Sequence, residues 1–99
     1  MTQNTEAKLR VEAFVQYCLD QGFVITVFYE FDDEPALDKS NALDAIMEEA
    51  FACDAATMQV WDWPNSLGIF QFIHTNGEDV LHDCTDNEFT KAISARFFS

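Results

Sequence analysis

Residues 58–84 read MQVWDWPNSLGIFQFIHTNGEDVLHDC, three apolar runs parted by two turn signals. Met58 to Trp63 and Leu67 to Thr75 are rich in aromatic and β-branched residues at strand length, and Pro64, Asn65 and Ser66 between them spell a turn. Asn76-Gly77 predicts a hairpin, because a two-residue type I′ turn needs both residues at positive φ. A short strand over Val80 to Cys84 follows. Three consecutive strands joined by short turns pair as antiparallel neighbours, and the rest of the chain must cover the sheet they make.

Upstream, Phe23 to Phe31 reads FVITVFYEF, a fourth strand and the most apolar of them. Before it, Val11, Phe14, Val15, Cys18 and Leu19 follow the i, i+3, i+4, i+7, i+8 spacing of an amphipathic helix, with Gly22 where a left-handed stop belongs. After it, Asp32, Asp33, Glu34 and Pro35 form a turn whose proline opens a second helix. That helix buries Leu43, Ile46, Met47 and Ala50 and turns Asp44, Glu48 and Glu49 outward. Thr85-Asp86-Asn87-Glu88 has capping-box spacing and leads into a last helix with Phe89, Ala92, Ile93 and Phe97 on one side. The predicted order is α-β-α-β-β-β-α. It describes one α+β domain over residues 1–99, a two-layer sandwich with a mainly antiparallel sheet, helices on one face and a polar tail at residues 1–4. The second helix is expected to carry the first strand into the sheet as a right-handed crossover.

Eighteen Asp and Glu against five Lys and Arg give a net charge of −13, and no Lys or Arg occurs from Ser40 to Thr90, where ten carboxylates lie. A folded chain of this length has a diameter of about 33 Å, and duplex DNA of that length carries about 19 charges. The two charge densities are of the same order. Such acidity repels nucleic acid and anionic membrane and favours basic proteins or cations. The apolar content of 48%, with ten Phe and two Trp, supplies a core that a disordered acidic chain lacks. Cys18, Cys53 and Cys84 are an odd number without C-x-x-C spacing, which predicts reduced thiols. The polar N-terminus reads as no signal peptide, and no apolar run reaches the roughly 20 residues of a membrane span. A cytoplasmic protein is expected.

The run Leu67 to Phe89, LGIFQFIHTNGEDVLHDCTDNEF, in a span that reaches Ile93, resembles small uncharacterised acidic proteins of phages and prophages. In those proteins a similar hairpin is followed by an aspartate, a threonine and an asparagine before the last helix, matched here by Asp83, Thr85 and Asn87. Cys84 stands where they carry an aromatic. The resemblance implies a mobile-element origin and brings no catalytic residues.

No constellation identifies a reaction. His82, Asp83 and Cys84, with His74 on the preceding strand, form the sharpest cluster, and strand alternation places His82 and Cys84 on one face. A metal needs three or four ligands, and a reactive thiolate needs a positive neighbourhood, whereas Cys84 sits beside Asp83 and near Asp86. No catalytic residue, metal or cofactor is assigned. The Asp32-Asp33-Glu34 run lacks the glycine and terminal Glu spacing of a calcium loop. Trp61 and Trp63, two apart and expected near Phe70 and Phe72, are core by default, or anchors at a partner interface if no helix covers that face.

The expected function is therefore non-enzymatic: an acidic protein-binding domain, a phage or mobile-element inhibitor mimicking nucleic-acid charge in a basic groove of a host defence or nucleic-acid enzyme. Its mimic charges would be Glu30, Asp32, Asp33, Glu34, Asp44, Glu48, Glu49 and Asp54, with Glu78, Asp79, Asp83, Asp86 and Glu88 as a second cluster. The alternative is an adaptor or homodimerising module that uses the sheet aromatics.

Overall fold

A computed structural model describes residues 5–29, 33–52, 54–74 and 80–98. The Asn76-Gly77 turn, the polar tail at residues 1–4, Phe31, Cys53 and the acids Glu30, Asp32, Glu78 and Asp79 lie outside the described residues. The elements run α1 (Thr5–Asp20), β1 (Val24–Tyr29), β2 (Leu37–Ser40), α2 (Leu43–Ala50), β3 (Ala55–Asp62), β4 (Asn65–Ile73), β5 (Leu81–Cys84) and α3 (Glu88–Phe97). Together they make an α+β fold with a five-stranded sheet in the order β2-β1-β3-β4-β5, every neighbouring pair antiparallel.

One strand and one connection differ from the sequence reading. Pro35 does not open a helix. The chain bends back after Asp33 and Glu34, the Ala36 N–H donates to Val27 O at 2.8 Å, and Leu37–Ser40 pairs with β1 as an edge strand. The first strand therefore enters the sheet by a reversal and not by a crossover. β2 and β3 flank β1, both antiparallel to it, so they run parallel to each other and α2 makes the crossover between them.

α1 stops as its sequence requires. Gly22 has φ +87, its N–H reaches Leu19 O at 3.0 Å, and the Phe23 N–H reaches Cys18 O at 3.0 Å, the paired bonds of a Schellman end. Val11, Phe14, Val15 and Cys18 are fully buried, as are Ile46 and Ala50 of α2. They meet the sheet face made by Ile25, Val27, Met58, Val60, Phe70 and Phe72. Phe14 is the hinge of this core, its ring 4.8 Å from Phe70, 6.0 Å from Phe72 and 5.8 Å from Phe98. Losing such a ring costs about 3 to 5 kcal/mol.

α3 begins two residues later than the Thr85 capping box predicts. Thr85 instead extends the sheet, its Oγ1 accepting from the Ile69 N–H at 3.0 Å and its own N–H donating to Ile69 O at 2.9 Å. Asn87 is the N-cap: its side chain accepts from the Thr90 N–H at 2.9 Å, and Thr90 Oγ1 accepts from the Asn87 N–H at 3.2 Å. Thr90 and Ile93 are the buried residues of this helix, whereas Ala92 is exposed.

Candidate functional site

The strand registers decide where the carboxylates go. Tyr29 pairs with Ala56, and Ala55 with Ile73, so the end of β1, the start of β3 and the end of β4 share one end of the sheet. Asp33 and Glu34 lie in the β1–β2 connection that leaves this end, and both are exposed. Asp54 precedes β3, and its carbonyl accepts from the His74 N–H at 2.8 Å. Glu49 is drawn to the same end by the Tyr29 hydroxyl, which donates to its Oε1. Next to it, Glu48 and Asp44 line a groove of about 450 Å³ between α1 and α2, together with Glu12, Met47, Phe51 and one cation, Lys8. Of the first expected cluster, Asp33, Glu34, Glu49 and Asp54 thus lie toward this end of the sheet, while Asp44 and Glu48 line the groove between α1 and α2.

Of the second, Asp83 sits on the edge strand β5 opposite Gln71, while Asp86 precedes α3 and Glu88 opens it; Glu78 and Asp79 lie outside the described residues. Glu88 in the first turn of α3, like Asp44 in that of α2, complements a helix N-terminus. Asp86 pairs with Lys91 at 3.3 Å.

All five cations are engaged. Arg10 pairs with Glu6 at 3.2 Å, and Lys39 with Asp38 at 3.1 Å. Lys8 lies 5.9 Å over the Phe51 ring, and the Arg96 guanidinium 4.6 Å over Tyr17. With few cations near other carboxylates, the surface field stays strongly negative.

The two tryptophans are not core. Side chains on a strand alternate, so Trp61 faces away from the helices, and Phe70 and Phe72 lie on the opposite side of the sheet. Trp63 is already in the β3–β4 turn, ahead of a cis Trp63-Pro64 bond, and is 61% exposed. The indoles still meet edge to face at 5.3 Å. Thr26, on the same outer face, holds the cluster: its hydroxyl donates to Asp38 Oδ1 at 3.1 Å and accepts from Trp61 Nε1 and the Lys39 N–H, each at 3.0 Å. One donor and two acceptor sites are all used. Lys39 adopts φ 47 there and places Nζ 5.2 Å from the Trp61 ring and 4.7 Å from the Trp63 ring. Its hydrogen bond, aided by that from Thr26, holds the Asp38 carboxyl below its usual pKa. Reading Pro35 as the opening of a helix concealed this cluster. The signal was Lys39 itself, the one Lys or Arg between Arg10 and Lys91.

His74, His82 and Cys84 do not converge. β5 carries a bulge: Leu81 pairs with Phe72 and Asp83 with Gln71, which leaves His82 as the extra residue. Leu81 and Cys84 accordingly both pack toward the core while His82 is exposed, against the expected shared face. His74 is buried, stacked on Phe51 at 3.9 Å with Nε2 2.6 Å from Ala50 O. Burial lowers its pKa, against the opposing pull of the Ala50 carbonyl and Asp54. Burial likewise pushes the Cys18 thiol up to about 12, far from a reactive thiolate. Among the described residues no group of three His, Cys, Asp or Glu is placed to hold a metal ion, and no helix is long and apolar enough to cross a membrane.

Comparison with protein-family models, curated proteins and solved structures found no match.

Proposed function

We propose that this chain is a non-enzymatic acidic protein-binding domain, a phage or mobile-element inhibitor of the anti-CRISPR or anti-restriction type. In this reading it offers carboxylates where a basic groove of a host defence or nucleic-acid enzyme receives phosphates, in the cytoplasm of the bacterium. The partner is a protein, and neither nucleic acid nor membrane is bound directly.

The observation that carries the reading is the placing of Asp33, Glu34, Glu49 and Asp54 toward one end of the sheet, from the β1–β2 connection, α2 and the start of β3, with Lys8 the cation lining the adjoining groove while Arg10, Lys39, Lys91 and Arg96 are engaged by other groups. A field of this sign and size steers a basic surface into encounter. The test is capture of partners from bacterial lysate at low and high salt, followed by competition with DNA or RNA for the captured enzyme. Recovery that collapses at high salt, with displacement by nucleic acid, supports mimicry; recovery indifferent to salt and nucleic acid removes it.

The exposed Trp63 favours a second reading, an adaptor or homodimer built through the outer sheet face. A dimer that persists at high salt and is dissolved by Trp63→Asp is its signature.

A further inference from the structure

We propose that His74 is a proton-operated latch on α2: in its neutral form it clamps the last turn of the helix to the sheet, and on protonation it lets that turn go. The device goes beyond the acidic-domain reading and holds whether or not the carboxylates of α2 meet a partner.

α2 has little of its own to keep its ends closed. Eight residues are too few for a helix to persist in water without packing. Its N-cap, Ala42, makes no side-chain cap bond, and its C-cap, Phe51, has φ −105, outside the left-handed region of a Schellman end. The Phe51 and Ala52 N–H groups donate to the Met47 and Glu49 carbonyls, and the Ala50 carbonyl is left to His74. The imidazole meets it through Nε2 at 2.6 Å and stacks on Phe51 with ring centroids 3.9 Å apart. The His74 backbone N–H donates to Asp54 O at 2.8 Å. One residue just past β4 thus grips the chain on both sides of the connection that leaves α2.

The other ring nitrogen makes this grip depend on a proton. A bond to a carbonyl fixes Nε2 as the donor, so neutral His74 carries its lone pair on Nδ1. Nδ1 is buried without a hydrogen-bond partner, in a residue only 3% exposed. A proton added there creates a buried charge and a buried N–H with no acceptor. Swinging the ring into water relieves both, and it gives up the Ala50 bond and the Phe51 stack. The charged neighbours do not prevent this. Asp54, ahead of β3, draws the proton but is exposed, and on α2 Glu49 is taken by the Tyr29 hydroxyl. On α1, Lys8 lies 5.9 Å over the Phe51 ring and opposes a second cation, and on β5 His82 is exposed. Glu78 and Asp79 lie outside the described residues. Release of this turn frees the end of the helix that carries Glu48 and Glu49.

Native-state hydrogen exchange of the full chain in low urea, from pH 7 to 5 and corrected for the intrinsic exchange rate, tests the latch. The Phe51 and Ala52 amides are expected to exchange through a local opening with little urea dependence. Its equilibrium constant should rise about tenfold per pH unit below about 6.5. Amides of β3 and β4 should follow global unfolding, with its full urea dependence. His74→Gln, which keeps a donor for Ala50 O, should make the local opening indifferent to pH, and Asp54→Asn should move the rise to lower pH. If the α2 amides share the urea dependence of β3 and β4, the proton enters only on global unfolding and the proposal is overturned. A local opening that ignores pH in the wild type, or that keeps its pH dependence in His74→Gln, overturns it as well. The first two of these outcomes are read in the wild type, so the test stands even if His74→Gln fails to fold.

Discussion

The Trp61 indole N–H donates to Thr26 Oγ1 at 3.0 Å, tying the end of β3 to the first half of β1 across 35 residues of chain. The same hydroxyl is 2% exposed as part of Thr26 and also receives the Lys39 backbone N–H. Thr26→Val keeps the shape and removes the oxygen, orphaning two donors. We expect a loss of about 2 kcal/mol, read as a lower urea midpoint at unchanged slope. Tryptophan emission should shift to the red as Trp61 loses its anchor. A midpoint within error of the wild type would show that water replaces the hydroxyl without cost.

His74 sets a pH dependence. Burial lowers its folded pKa below the unfolded value of about 6.5, so the unfolded chain takes up the proton first as pH falls. Its contribution to stability is complete above that value and is lost on acidification toward the folded pKa. His74→Gln keeps a donor for Ala50 O and cannot titrate. Between pH 7 and 5 the wild type should lose stability relative to His74→Gln, the two chains being otherwise identical. Parallel pH profiles would remove His74 as the cause.

The elements that residue type dictates were legible. β1, β3 and β4 carry β-branched and aromatic residues and appear where the composition puts them, and Gly22 ends α1. β2 was not legible because Leu37-Asp38-Lys39-Ser40 has no strand pattern; what makes it a strand is pairing with β1 and the Thr26 hydroxyl, both remote in sequence. The His82 bulge was hidden for the same reason, since the extra residue is defined only by the partner strand. The count of carboxylates was plain, but their position depends on which strand ends meet. Asp33 and Asp54 come to one end of the sheet only because β3 returns antiparallel to β1.

Ionic strength should act on the fold itself. With a net charge of −13, shortening the screening length lowers the self-repulsion of the folded state more than that of the expanded chain. The ion pairs Arg10–Glu6, Lys39–Asp38 and Lys91–Asp86 are weakened too, but such surface pairs count for little. Thermal unfolding in sodium chloride should show Tm rising by about 5 °C, equivalent to about 1 kcal/mol, from low to high salt. A falling Tm would mean that the ion pairs outweigh the repulsion.

Gly68 leaves room for Thr90 and Phe89 of α3 against β4. A methyl group on Gly68 would sit 2.5 Å from Thr90 Cγ2, and Thr90 is held rigidly by the Asn87 capping box and by its hydroxyl donating to Thr85 O. Neither partner yields easily: Gly68 is opposite Val60 in the ladder, and Thr90 is fully buried. Gly68→Ala should cost about 2 kcal/mol through overpacking. Thr90→Ser deletes the offending methyl and keeps the hydroxyl that serves the cap. In the double variant the two changes should compensate, recovering about 1 kcal/mol relative to additivity. A double-mutant cycle in urea checks this; strict additivity would place the cost of Gly68→Ala in the backbone of β4 and not in its contact with α3.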